Sequence, residues 1–189
     1  MFNIYLSGVG GQGIGLLSEI LIRACDYAGY KVYGVDTHGL AQRGGVVESH
    51  LKIGEDIYSP LIKKNDADLI ISLERTEALR GLINYSKKDS NLIFYDANWQ
   101  PLFVRMGKDT EVSLDLLSNE CKKRNVSYYR IFLDTLNDPK MQNIVVVANI
   151  AKKSLIPKVE IDHYENAIKD LLSGVNLERN LKLFSEMFI

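Results

Sequence analysis

The sequence predicts an α/β domain built on a mainly parallel sheet, with an antiparallel hairpin near residues 46–60 and a helical C-terminus. Three observations carry that expectation. Short apolar, β-rich runs alternate with stretches whose apolar residues recur every three or four positions. The first such pair is joined by a glycine turn, "GVGGQG" at 8–13. From residue 140 onward the helical spacing takes over.

The elements follow in order. "NIYLS" (3–7) reads as a strand that Gly8 ends. Ile14, Leu17, Leu21, Ala24 and Ala28 then fall at helical spacing, and Gly29 stands where a left-handed C-cap is expected. "KVYGVD" (31–36) is the next strand, so residues 3–36 form one βαβ unit, whose crossover is expected to be right-handed. "VVESHLKI" (46–53) has period two, with Val47, Ser49, Leu51 and Ile53 on one face and Glu48, His50 and Lys52 on the other. The turn at 54–56 and the short apolar "IYSPLI" after it suggest an antiparallel neighbour, because a parallel return needs a long crossover. "DLIISL" (68–73) and "NLIFYD" (91–96) are continuous apolar runs, as in strands buried on both faces. They flank a helix at 74–86. Residues 97–112, with Trp99 and Pro101, read as irregular. A helix at about 113–125 and a strand at 126–133 follow. The helix at 140–155 is apolar nearly all round, which makes it either central or covered by another chain; it is expected to contribute to a protein interface. Two shorter helices near 161–172 and 177–188 complete the chain.

Composition bounds the function. A chain of 189 residues suits one domain, taken as 1–189, with a full core. Hydrophobic residues at 46% and charged residues at 25% are those of a globular protein. With 23 basic and 24 acidic residues the net charge is −1, which argues against a nucleic-acid partner. Two cysteines, Cys25 and Cys121, exclude a disulfide framework or a Cys-rich metal site. "MFNIYLSG" lacks a basic start and a long apolar run, and "IVVVANIA" (144–151) is too short to span a bilayer, so a cytoplasmic protein without a membrane role is expected.

Gly8, Gly10 and Gly13 satisfy G-x-G-x-x-G between a strand and a helix, where unpaired N–H groups and the helix dipole favour an anion. Asp36 closes the second strand, near where a ribose-binding acid would sit. A P-loop is excluded, because Leu16 follows Gly15 where lysine is required. After Asp36 the expected further crossover is replaced by "THGLAQRGG" (37–45). There Gly39, Gly44 and Gly45 bracket His38, Gln42 and Arg43. Such a loop either presents polar side chains at a cleft or is a solvated surface loop.

Together "GVGGQG", "THGLAQRGGVVESHLKIG" and "YSP" resemble the γ-type subunit of the 2-oxoacid:ferredoxin oxidoreductases, and most closely the small β subunit of the indolepyruvate type. The specific signal lies in residues 8–60. The resemblance implies a three-layer α/β/α, Rossmann-like domain within a complex that oxidises arylpyruvates to acyl-CoA, CO2 and reduced ferredoxin. It places thiamine diphosphate, magnesium and the iron–sulfur clusters on a large partner subunit, with coenzyme A as co-substrate. Two cysteines cannot hold a [4Fe–4S] cluster, and the Gly-Asp-Gly…Asn pattern of a thiamine diphosphate site is not found. The chain is therefore expected to bind none of these groups, nor a metal, by itself. Self-association of the isolated chain stays open.

Arg43, which can hold a carboxylate or diphosphate in bidentate fashion, and His38 are the candidate catalytic residues. Packing within the loop is the other reading of His38, and an inter-subunit salt bridge that of Arg43. Gly8, Gly10, Gly11, Gln12, Gly13, Gln42, Gly44 and Gly45 are candidates for a cofactor-facing surface shared with the partner. His50, His163, Cys25 and Cys121 are expected to be structural. A free-standing NAD(P)- or FAD-binding oxidoreductase is the alternative, carried by G-x-G-x-x-G and Asp36.

Overall fold

The computed structural model describes residues 1–37, 45–98, 106, 110–136 and 138–189. The strands are β1 (Phe2–Val9), β2 (Val32–Thr37), β3 (Val46–Ile53), β4 (Ala67–Ser72), β5 (Ser86–Tyr95) and β6 (Ser127–Ile131). The helices are α1 (Ile14–Tyr27), α2 (Arg75–Tyr85), α3 (Leu114–Arg124), α4 (Gln142–Lys152), α5 (Ile161–Leu171) and α6 (Gly174–Glu186). A 3-10 turn at Pro139–Met141 leads into α4.

The strands form one mixed sheet in the order β2-β3-β1-β4-β5-β6. β1, β4, β5 and β6 are mutually parallel, and β3 runs antiparallel to both of its neighbours. Because two antiparallel pairings restore direction, β2 runs with β1 and closes the expected βαβ unit, but β3 lies between them. The antiparallel element predicted near 46–60 is present with different partners. Residues 46–53 pair with β1 and β2, whereas "IYSPLI" forms no strand. Pro60 lacks an N–H for a ladder, and Asp56 at φ 56° turns the chain away from β3.

Side-chain alternation sorts the core into two layers. Ile4, Leu6, Leu51, Leu69, Ile71 and Ile93 face α1, α4, α5 and α6. Tyr5, Ile70, Leu92 and Phe94 face Ala78 and Leu82 of α2 and Leu117 and Cys121 of α3. This is the three-layer arrangement. Local signals hold at the helix ends. After α1, Tyr30 N–H reaches Cys25 O at 3.0 Å and Gly29 N–H reaches Asp26 O at 2.8 Å, a Schellman turn. Ser113 Oγ caps α3 by accepting Leu116 N–H at 3.1 Å.

Two expectations are corrected here. The apolar helix was assigned to an interface, yet Gln142–Ala148, Ile150 and Ala151 are all buried within this chain. It is the central helix of its layer, packed between the sheet, α1 and the two C-terminal helices. Asn149, the polar break in its sequence, donates back to Val145 O at 2.9 Å. His50, placed on a polar strand face, is instead buried against Tyr5 and Tyr85. Ile62 N–H donates to His50 Nδ1 at 3.2 Å.

Candidate functional site at the carboxyl edge of the sheet

From β1 the chain proceeds to β2 and β3 on one side, and from β4 to β5 and β6 on the other. The carboxyl ends of β1 and β4 thus flank a topological switch point, where open α/β sheets bind ligands. The glycine turn leaves β1 at this edge. β2 ends and β3 begins there, so the two sequence motifs converge. Gly10 N–H donates to Gly45 O at 2.9 Å and ties the turn to the end of the second motif. Gly45 is the described end of that motif; His38, Gln42, Arg43 and Gly44 lie outside the described residues.

The turn is held largely by its own chain. Gln12 is 2% exposed. Its Oε1 accepts Val9 N–H at 2.7 Å, and its Nε2 donates to Leu73 O, just beyond β4, at 3.0 Å. Gln12 N–H in turn donates to Val9 O at 3.1 Å. Gly8 passes beneath this side chain; a Cβ there would lie 2.8 Å from Ile14 Cδ1 and 3.0 Å from Gln12 Oε1. Gly11 has φ +99°. Gly13, at φ 83° and ψ 32°, is the left-handed N-cap of α1, and its missing Cβ leaves room for the Asn143 amide, which donates to Gly13 O at 3.3 Å. The glycines therefore permit a tight turn that Gln12 and Asn143 fill from inside. Three amides that could line a phosphate site, those of Val9, Gly10 and Gln12, already have partners within the chain. Asp36 accepts from Ser18 Oγ at 3.2 Å.

The other half of the edge carries a charged cluster that the sequence reading did not single out. Asp96, at the end of β5, is buried, with its side chain 1% exposed. Arg75, the first residue of α2, donates Nε to Asp96 Oδ1 at 2.6 Å, and Arg130 of β6 donates Nε to Oδ2 at 2.5 Å. Arg75 also reaches Val112 O at 3.2 Å and Glu111 at 3.4 Å. The hydrogen bond to Asp96 raises the pKa of Arg75 further above its ordinary value. The pair Asp96/Arg130 could be found only from strand pairing, because 34 residues separate the two.

Cys25 and Cys121 lie in different core layers on opposite faces of the sheet, so they cannot share a cluster. Among the described residues no group of three or more His, Cys, Asp or Glu could hold a metal ion, and no helix is long and apolar enough to cross a membrane. Burial pushes the Cys25 thiol up to about 12 and the Cys121 thiol up to about 11. Neither thiol is expected to react with an aromatic disulfide reagent at pH 8 until the chain unfolds. Rapid release of coloured thiolate from native protein would contradict this. A cleft of about 610 Å³ between α4 and α5, bordered by Lys152, Lys158, Glu160 and Asp162, lies towards the amino edge of the sheet, remote from the glycine turn.

The fold is a three-layer α/β domain whose two glycine motifs meet at the carboxyl edge of the sheet. A family model described as pyruvate ferredoxin/flavodoxin oxidoreductase matches residues 3–188. The chain belongs to that family. It is 34% identical to an indolepyruvate oxidoreductase subunit IorB of Archaeoglobus fulgidus, over 95% of this chain and 90% of that one. It is 27% identical to a pyruvate/ketoisovalerate oxidoreductases common subunit gamma of Pyrococcus abyssi, over 100% of this chain and 96% of that one. The crystal structure of a keto/oxoacid ferredoxin oxidoreductase gamma subunit from Geobacter sulfurreducens shares the fold. Its TM-score is 0.64 at 19% identity, covering 100% of this chain and 96% of that one. These relatives are named as subunits of oxidoreductases.

Proposed function

We propose that this chain is the small subunit of a cytoplasmic arylpyruvate:ferredoxin oxidoreductase, of the indolepyruvate type, and folds as one domain over residues 1–189. The observation that carries the reading is the 34% identity to an indolepyruvate oxidoreductase subunit along nearly the whole chain. The junction of the two glycine motifs through Gly10 and Gly45 supports it. In such a complex a 2-oxoacid and coenzyme A become acyl-CoA, CO2 and a proton, and two electrons pass to ferredoxin. Thiamine diphosphate, magnesium and the iron–sulfur clusters reside on a large partner subunit, and this chain presents its carboxyl edge to them. Gly8, Gly10, Gly11, Gln12 and Gly13 shape that edge. Gln42, Arg43, Gly44 and Gly45 complete it, and Arg43 and His38 are the groups offered to substrate or partner. The rival, a free-standing NAD(P)- or FAD-binding enzyme, is disfavoured by the internal bonding of the glycine turn.

The test is anaerobic purification of the tagged chain from its host. A large brown partner containing iron and thiamine is expected to accompany it, and addition of an arylpyruvate and coenzyme A should reduce ferredoxin. A colourless solitary protein with dinucleotide affinity would overturn the reading. In the assembled complex, Arg43→Ala is expected to lower turnover at least tenfold or weaken subunit association. Loss of a charge-assisted bidentate contact, roughly 1.5–3 kcal/mol, corresponds to a change of that order. Unchanged turnover and assembly would remove Arg43 from the site.

A further inference from the structure

At β2 the sheet leaves an edge of backbone open. β2 is the outermost strand and pairs with β3 from Val32–Ile53 to Thr37–Glu48 without a bulge. Gly54 N–H donates to Lys31 O at 3.0 Å, which makes Val32–Ile53 a pair whose backbone groups turn away from each other. Tyr33 and Val35 therefore bond to β3, while the N–H and C=O of Val32 and Gly34 point outward. Among the described residues nothing donates to or accepts from those four groups. Open strand edges are commonly blunted by lysine, proline or a bulge, and β2, with the sequence VYGVDT, has none of the three. β6, at the opposite edge, is shorter and carries Arg130.

The two faces along this edge differ. Val35 opposes His50, which packs on Tyr5, so Val35 and Tyr33 stand on the α2 face of the sheet. Tyr33 is 47% exposed there. Val32 and Gly34 stand on the other face, under α1. Ser18 Oγ of α1 reaches Asp36 Oδ1 at 3.2 Å, and a Cβ on Gly34 would lie 3.0 Å from Ile22 Cδ1. These two contacts fix which side of α1 looks over β2. With about 3.6 residues per turn, Asp26 and Glu19 follow Ile22 around the helix, on the side away from buried Ser18. Both are exposed. The cations closest in sequence are engaged elsewhere, Arg23 with Asp170 at 3.7 Å and Lys31 with Glu55 at 2.6 Å. The edge is thus acidic on its α1 side and apolar on the other.

We propose that the outer edge of β2 docks an extended segment of another protein, which joins the sheet as a further strand with basic side chains beside α1 and apolar ones beside Tyr33 and Val35. A strand is the element that satisfies outward N–H and C=O groups at alternate residues. Residues of the incoming strand that bond to Val32 and Gly34 share their face, and from there a lysine or arginine reaches Asp26 and Glu19. The residues between them share the face of Tyr33 and Val35, where an apolar side chain covers the exposed ring. A second copy of this chain matches the edge poorly. Two β2 strands paired antiparallel about a two-fold axis normal to the sheet set Glu19 and Asp26 of one copy beside those of the other, acid against acid.

The test is a titration of the full 189-residue chain with an end-capped peptide of alternating lysine and valine, read by amide NMR and hydrogen exchange. The peptide is expected to bind more weakly as salt rises and to slow exchange of the Val32 and Gly34 amides. Tyr33 and Val35, already bonded to β3, should change little. Glu19→Lys combined with Asp26→Lys, two exposed changes, should weaken binding about tenfold or more. A peptide of alternating glutamate and valine should not bind. Absence of binding, binding that leaves exchange at Val32 and Gly34 unaltered, or equal affinity for the acidic peptide would each overturn the proposal. So would slowing of the same two amides as the chain alone is concentrated, which would mark the edge as a self-association surface. The acidic peptide keeps the charge argument decidable if the double variant does not fold.

Discussion

Asp96→Ala is expected to cost about 3 kcal/mol of folding stability, at the lower end of the range for breaking a buried ion pair. The carboxylate is buried at the end of β5, and each oxygen takes a guanidinium Nε. Its removal has unequal consequences for the two arginines. Arg130 has a side chain 48% exposed and can turn to water. Arg75 is 16% exposed and cannot, so the penalty resides mainly there, offset in part by Val112 O and Glu111. Asp96→Asn keeps the shape and one acceptor but no charge, and is expected to cost less. Urea unfolding with an unchanged slope would read both values. A loss below about 1 kcal/mol for Asp96→Ala would mean that the cluster is solvated and does not hold α2, β5 and β6 together.

This cluster also shows where sequence reading stops. The α/β alternation, the buried strands β4 and β5 and the ends of α1 and α3 were legible, because each depends on residues a few positions apart. Gly29 and Ser113 work within a single turn of chain. What was not legible depends on pairing between distant strands. The insertion of β3 between β1 and β2 is decided by which apolar face finds cover, and "IYSPLI" looked like a strand until Pro60 and the turn at Asp56 are weighed against the two better partners of β3. The helix α4 was read correctly as apolar all round, but its sequence could not say whether this chain or another covers it. The C-terminal helices α5 and α6 supply much of that cover. His50 shows the same limit in reverse: period two put it beside Glu48 and Lys52, yet the Tyr5 and Tyr85 rings and the backbone at Ile62 cover it.

The glycine turn was the most legible part of the site and the easiest to misread, and Gln12→Leu separates its two readings. In the folded chain the Gln12 amide satisfies Val9 N–H and Leu73 C=O, both buried. Leucine has a similar volume and neither polar group, so the two backbone partners lose their hydrogen bonds while water stays excluded. At about 1–3 kcal/mol for each orphaned group, the isolated chain is expected to lose roughly 2–6 kcal/mol. Gln12→Glu should fare no better, because a carboxylate can accept from Val9 N–H but faces the Leu73 carbonyl with no proton to give. A residue that served the site by touching a ligand would behave differently: Gln12→Leu would then leave the isolated chain within about 0.5 kcal/mol of the wild type and reduce turnover in the complex alone. Equilibrium unfolding of the isolated chain, set beside turnover of the assembled complex, decides between them. The internal bonds favour the first outcome, in which glycine is required at 8 and 13 because Gln12 and Asn143 need the space that side chains there would fill.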